Sequence, residues 1–253
     1  MDTEEPLAGG NMGPVSRRGD EVLRTAGPWT ANVHRLLQLC VDSGVAGIPR
    51  PLGYTGDGRE RLSYLEGTVP AYPMPDWVWT EQVLDDAARL LRGLHDASVP
   101  LAGIREGWRS PVRRPSEVVC HNDFAPYNLV FDEGRLVGVI DFDYCSPGSR
   151  IWDLAYLAYR LAPLEPGPFA DSERATRLQR LLDTYGLDAK VEELLATVVL
   201  RLRDLADFSD EASVRLDNPE LADHAAGYRA DADRISQGHL RPRGSGGTGA
   251  EEA

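Results

Sequence analysis

Residues 119–143 constrain this chain more than any other stretch, because two strand-like runs there are bracketed by polar side chains at fixed places. Leu129-Val130-Phe131 and Leu136-Val137-Gly138-Val139-Ile140 are apolar and rich in β-branched residues, and Asp132-Glu133-Gly134-Arg135 between them has the composition of a turn. The stretch therefore predicts a β-hairpin. Asn128 enters the first strand and Asp141 leaves the second, so the hairpin returns both to one open end. A neutral amide oxygen and a carboxylate brought together suit a hard divalent cation.

His121 and Asp123 precede Asn128, and Asp143 follows Asp141. Transfer of a γ-phosphoryl group needs little covalent help from a protein. It does need Mg²⁺ bridging the phosphates and a carboxylate that orients the attacking hydroxyl and accepts its proton. Asp123 is the candidate for that carboxylate, and Asn128 and Asp141 are the candidate metal ligands. His121 is better suited to bracing the loop than to acting as acid or base. Singly, each residue has a plainer reading: a lone His-x-Asp is more often a hydrogen-bonded turn, and the hairpin could be an ordinary sheet element. Their joint spacing is hard to obtain from structural needs alone.

The block His121-Asn-Asp-Phe-Ala-Pro-Tyr-Asn128, followed by Ile140-Asp-Phe-Asp143 and Ile151-Trp-Asp-Leu-Ala-Tyr-Leu-Ala158, resembles the aminoglycoside phosphotransferase and choline kinase branch of the protein-kinase-like superfamily. Order and spacing match in all three motifs, and the resemblance covers roughly residues 8–235. It implies an α+β, bilobal protein-kinase-like fold, with a small, reduced N-terminal β-rich lobe and a larger, mainly helical C-terminal lobe. It also implies ATP or GTP with Mg²⁺ as cofactors and Asp123 as catalytic base. Asn128 and Asp141 would be the Mg²⁺ ligands, with Asp143 as a supporting carboxylate of that group. His121 and Asp153 would be structural support. Asp153 opens an apolar helix, where an unpaired carboxylate would be costly, so a brace for the catalytic loop is the role that fits it.

Members of this superfamily grip the α- and β-phosphates with a strand lysine paired to a glutamate on the next helix. The one lysine here, Lys190, falls well after the catalytic block. The strand-like Glu21-Val-Leu-Arg-Thr25 carries Arg24 instead, and the helix expected from Thr30 to Asp42 contains no glutamate. A guanidinium binds phosphate oxygens bidentately, so Arg24 is a candidate nucleotide contact; a solvated strand arginine is the equal alternative. His34 is the polar residue of that helix placed to face Arg24, although a partly exposed helix histidine is the plainer description. Gly9 and Gly10 lie in a glycine-rich stretch before a hairpin expected to turn at Gly19-Asp20, and their amides could line phosphates. A flexible terminus explains those glycines nearly as well. Glu66 marks the expected hinge, where an adenine bonds to backbone in this superfamily. More loosely, the stretch from Arg24 to Leu37 resembles bacterial phosphotransferase-like proteins, some of them named for immunity to the peptide antibiotic trifolitoxin.

The organisation expected is residues 1–6 without structure, 7–65 as a lobe of sheet and one helix, and 66–70 as a hinge. Residues 71–238 would form the helical lobe holding the catalytic hairpin, and 239–253 a disordered tail. Thr80 to Ala97 is helical by its stripe of Val83, Leu84, Ala87, Leu90, Leu91 and Leu94, with His95 as a structural cap. Further helices are expected at Arg150–Arg160, Asp171–Tyr185, Val191–Phe208 and Pro219–Gln237. Trp77, Trp79 and Trp108 read as core.

A net charge of −13 argues against nucleic acid as a partner, whose phosphates would be repelled. The acidic residues from Asp204 to Asp223 are compatible with a cationic acceptor, but a solvated acidic helix face is the favoured reading. No apolar run is long enough to span a membrane and the acidic start is unlike a signal peptide, so a cytoplasmic protein is expected. Cys40, Cys120 and Cys145 lack the spacing of a disulfide framework or zinc site. The leading function is an ATP/Mg²⁺-dependent phosphotransferase acting on a hydroxyl of a small molecule, such as a cationic antibiotic or metabolite. One alternative is a kinase acting on Ser or Thr of a natural-product precursor peptide. Another is a pseudokinase-like binding or immunity module. The sequence sets neither the acceptor nor the oligomeric state.

Overall fold

The computed structural model describes residues 3–7, 14–164 and 169–238, and the chain divides into two compact units, residues 1–157 and 158–253. The first unit opens with strands β1 (Glu4–Pro6), β2 (Val15–Arg18) and β3 (Glu21–Arg24), then helix α1 (Thr30–Asp42), then strands β4 (Pro51–Tyr54) and β5 (Glu60–Ser63). The five strands form one antiparallel sheet in the order β1-β2-β3-β5-β4. Gly19, at φ 58°, supplies the left-handed residue that the two-residue β2–β3 loop requires. Helix α1 buries Val33, Leu36, Leu37 and Cys40, the three-and-four spacing of one helical face, together with Leu23 from β3.

Helix α2 (Glu81–Ser98) follows, its first turn capped by the Thr80 hydroxyl, which accepts the Val83 N–H. Four short strands then build the platform of the site: β6 (Val118–Cys120), β7 (Leu129–Asp132), β8 (Arg135–Val139) and β9 (Ser146–Gly148). β7 pairs with β8 as the expected hairpin, turning on Glu133 and Gly134 at φ 47° and 78°, the two positive values of a tight primed turn. β6 pairs with β9, a ribbon that the sequence pattern did not announce.

Helix α3 (Arg150–Leu161) begins in the first unit and ends in the second, which also holds α4 (Asp171–Tyr185), α5 (Val191–Leu216) and α6 (Glu220–Ser236). Within the second unit α5 and α6 pack along one another. Buried Arg177 donates to the Leu161 carbonyl at 2.7 and 3.1 Å and buried Arg174 to the Pro163 carbonyl at 2.8 Å, so guanidinium groups satisfy carbonyls that the end of α3 leaves unpaired. Tyr159, near that end, donates to Asp231 of α6 at 2.8 Å.

Several expectations are corrected. Residues 4–6, expected to lack structure, pair with β2 as an edge strand. The chain divides into its two compact units after residue 157, within the span of α3. The expected hinge lies inside the first unit, where Thr68 exchanges both backbone hydrogen bonds with Phe131 of β7, at 2.7 and 2.8 Å. Helix α5 runs on to Leu216, past its expected end at Phe208. The expected tail, residues 239–253, lies outside the described residues, as do Gly9 and Gly10. Among the described residues no helix is long and apolar enough to cross a membrane.

Candidate functional site

The loop from His121 to Asn128, between β6 and β7, is held by a carboxylate that α3 places beneath it. Fully buried Asp153 accepts the backbone N–H of His121 at 2.6 Å and of Asn122 at 2.9 Å, and its Oδ2 also bonds His95 Nε2 at 3.0 Å. Burial alone would push this carboxyl up, but the hydrogen bond from His95 and the loop N–H groups outweigh it and hold it below its ordinary range. His95, expected as a helix cap, is instead a buried partner of Asp153. Cys120 lies close to both, yet the Asp153 oxygens already accept three N–H groups, so this cluster is a brace and not a metal site.

Other contacts fix the loop from the sides. Asn122, at φ 63°, donates to the Tyr144 carbonyl at 2.8 Å and the Ser146 hydroxyl at 2.9 Å. His121 packs its ring against Phe142 and Phe124, with centroids 4.8 and 5.6 Å away. Its Nε2 lies 3.0 Å from the Ile140 carbonyl, which can only accept, so the hydrogen sits on Nε2. Nδ1 is then the acceptor that meets the Asp123 N–H at 3.3 Å.

Asp123 is thereby presented with both carboxylate oxygens engaged. Tyr127 donates its hydroxyl to Oδ1 at 2.8 Å, and Asn128 donates Nδ2 to Oδ2 at 2.8 Å and to the Asp123 carbonyl at 2.9 Å. The Tyr127 hydroxyl is 2.6 Å from that of Tyr156. Desolvation pushes the half-buried Asp123 carboxyl above its ordinary range, with the charge of Asp141 adding to it, and the bond from Tyr127 offsets only part. A carboxylate with a raised proton affinity on a fixed mount is a competent base toward a hydroxyl.

The hairpin brings Asn128 and Asp141 together. The Ile140 N–H donates to the Asn128 carbonyl at 2.9 Å, so Asp141 is the next residue past that link. Asp141 takes φ 64° and keeps its side chain 42 % exposed. Since Asn128 turns its amide nitrogen to Asp123, its amide oxygen remains as a donor atom. These are hard oxygen ligands, a set that fits Mg²⁺. Asp143 fits less well: its Oδ1 is 2.6 Å from Arg24 and its Oδ2 is 3.2 Å from Arg109. Asp143, expected as a supporting carboxylate, pairs here with two guanidinium groups.

Arg24 is not a solvated strand arginine. Its side chain is 14 % exposed, and its Nε lies 2.5 Å from Oε2 of fully buried Glu60, its opposite number on β5. His34 of α1 holds the other Glu60 oxygen at 2.9 Å. Burial would raise Glu60, but His34 and Arg24 outweigh it and the carboxyl sits below its ordinary value. The missing helix glutamate thus has a counterpart on the neighbouring strand. Arg109, a residue without any signal in the sequence, lies over the rings of Trp29 and Tyr144, 4.4 and 4.5 Å from their centroids, while it pairs with Asp143.

Tyr127, Tyr156, Glu60 and Arg109 were not singled out by sequence reasoning. Tyr127, inside the catalytic block, and Tyr156, inside the run Ile151–Ala158, carried a local signal. Glu66, expected to contact the nucleotide, has an exposed side chain that pairs with Arg17, so only its backbone is available for that role. Trp77 packs edge-on to Phe131, with centroids 4.8 Å apart.

A sheet-then-helices α+β chain with an Asp123 loop braced from α3 is the architecture of the protein-kinase-like fold. It is shared with a choline/ethanolamine kinase family protein from Mesorhizobium loti, at a TM-score of 0.64 and 18% identity over 94% of this chain and 91% of that one. It is shared too with APH(2")-IIa in a streptomycin–ATP ternary complex, at a TM-score of 0.57 and 15% identity over 90% and 93%. The profile of the Phosphotransferase enzyme family matches residues 104–194. Over 233 residues the chain is 33% identical to the trifolitoxin immunity protein of Rhizobium leguminosarum bv. trifolii, spanning 85% of this chain and 87% of that protein. The chain belongs to this aminoglycoside phosphotransferase-like family.

Proposed function

We propose that the protein transfers the γ-phosphoryl group of ATP or GTP to a hydroxyl of a small molecule. The observation that carries this reading is the mounting of Asp123, with Oδ1 held by Tyr127 and Oδ2 by Asn128, beside the oxygen donors of Asn128 and Asp141. Asp123 orients the acceptor hydroxyl and takes its proton as the oxygen attacks. Asn128 and Asp141 would hold Mg²⁺, which when bound neutralises charge on the phosphates. His121 and Asp153 keep the loop in register, Arg24 meets nucleotide phosphate, and the backbone near Glu66 meets the base. Family membership and the ATP-bound relative of like fold support the reaction class and the nucleotide.

The acceptor is a small hydroxylated molecule. A cationic one gains little support from the acidic helices, because Asp207 and Asp210 are paired with Arg229. A second reading, an immunity module that binds its ligand without turnover, is favoured by the relative named for immunity. A peptide acceptor would join the two readings.

Purified protein tested with ATP, GTP and Mg²⁺ separates them. Nucleotide with Mg²⁺ is expected to raise the melting temperature and to be consumed with a hydroxylated acceptor, and Asp123→Ala to abolish consumption without loss of fold. Stabilisation without consumption across an acceptor screen favours the module. Unchanged turnover in Asp123→Ala removes the base assignment.

A further inference from the structure

We infer that Arg24, Glu60 and His34 form a phosphate grip, in which Arg24 meets the nucleotide phosphates and Glu60 and His34 are positioning residues acting through it. The inference rests on the nucleotide-dependent reading above and deepens it.

Three observations carry it. First, the β3–β5 register sets Arg24 directly opposite Glu60, so their side chains share one face of the sheet at the close spacing of a cross-strand pair. A glutamate on a helix moves with its helix, whereas this one is fixed by the hydrogen bonds of the ladder. Second, the carboxylate is held from two elements, by Arg24 Nε at 2.5 Å and by His34 Nε2 of α1 at 2.9 Å, and it is fully buried. Third, this hold uses only the Nε edge of the guanidinium. Its two terminal nitrogens form the flat fork that suits phosphate oxygens; Nη2 is paired with Asp143 at 2.6 Å and Nη1 lies 3.7 Å from Asp141, so a phosphate takes the fork in exchange for Asp143. The fork is therefore aimed at the end of the hairpin where Asn128 and Asp141 offer oxygen to a cation. Phosphate sharing that cation has to approach the same place.

A lysine, with one terminal nitrogen, could not be held along one edge and still present a fork. Arginine on β3 and glutamate on β5 are thus two halves of one arrangement.

The test compares affinities for ATP and for adenosine, each with Mg²⁺, by isothermal titration, with folding checked by circular dichroism. Glu60→Gln keeps the shape and removes the charge; the ratio of ATP to adenosine affinity is expected to fall about tenfold, the scale of one charge-assisted hydrogen bond. Arg24→Ala is expected to lower the ratio further, and the double variant no further than Arg24→Ala alone. A folded Glu60→Gln variant with an unchanged ratio, or losses that add in the double variant, would overturn the inference. Should Glu60→Gln not fold, His34→Phe carries the same test, with about a threefold fall expected from loss of one partner and an unchanged ratio counting against it. Wild-type protein that binds adenosine as tightly as ATP overturns the grip alone. Protein that binds neither ATP, GTP nor adenosine overturns the nucleotide reading beneath it.

Discussion

Tyr127 donates its phenolic hydrogen to Oδ1 of Asp123 at 2.8 Å, and its own oxygen lies 2.6 Å from the hydroxyl of Tyr156. The base is therefore steered by a residue four positions along its own loop, which α3 in turn holds through Tyr156. Tyr127→Phe removes the donor and keeps the ring. One hydrogen bond of this kind contributes about 1–1.5 kcal/mol, so kcat for the acceptor found in the turnover screen should fall roughly tenfold. The melting temperature should move little. Unchanged kcat would show that Asp123 needs no help from the phenol.

Asp153 links the loop to the helix below it, and its removal should be felt as stability. Asp153→Asn leaves three N–H groups facing a side chain with one acceptor oxygen, in a fully buried place. The expected cost at neutral pH is about 3 kcal/mol, read from urea unfolding. The pH dependence has a definite sign. The folded carboxyl lies below its ordinary value of 3.8, so its stabilisation is fully present above about pH 4 and is lost as pH falls through the folded value. The gap between wild type and Asp153→Asn should therefore narrow on going from pH 7 to pH 3. A gap that widened would contradict a charged, hydrogen-bonded Asp153.

What could be read in the sequence was local. The hairpin that brings Asn128 to Asp141 depends on two apolar runs and a turn at Glu133-Gly134, all within a few residues. Asp153 announced itself as a carboxylate on an otherwise apolar helix. Glu60 and Arg109 gave no such sign, because each meets its partner across 36 and 34 residues and looks like any surface charge until strand register is known. His95 illustrates the same limit: a histidine in the last turn of a helix fits a cap as well as a core partner, and only the packing of α2 tells them apart. Strands of three residues, as in β6 and β9, are too short to show alternation.

Gly67 is a second place where backbone position matters more than chemistry. It takes φ 141°, and a Cβ built there would come within 2.6 Å of the Phe131 carbonyl oxygen. That carbonyl is the one Thr68 uses to pair with β7. Gly67→Ala has to relieve the clash by moving backbone and strains φ as well, so a loss of about 2–4 kcal/mol is expected. If thermal denaturation shows a shift worth less than about 0.5 kcal/mol, the strand is free to move away and the pairing is loose.

Arg109 combines three contacts that a lysine cannot reproduce together: an ion pair to Asp143 at 3.2 Å and two aromatic faces, Trp29 and Tyr144. Burial pushes Asp143 upward and the neighbouring Asp141 adds to it, while Arg24 opposes them. Arg109 gives this carboxylate a second cationic partner, at 3.2 Å. Arg109→Lys retains the charge but loses the flat surface that lies over the two rings, at an expected cost of about 1–2 kcal/mol. Arg109→Met removes the charge as well and should cost more, because Asp143 then loses one of its two guanidinium partners. Equal unfolding free energies for the two variants would mean that the stacking, and not the ion pair, is what Arg109 contributes.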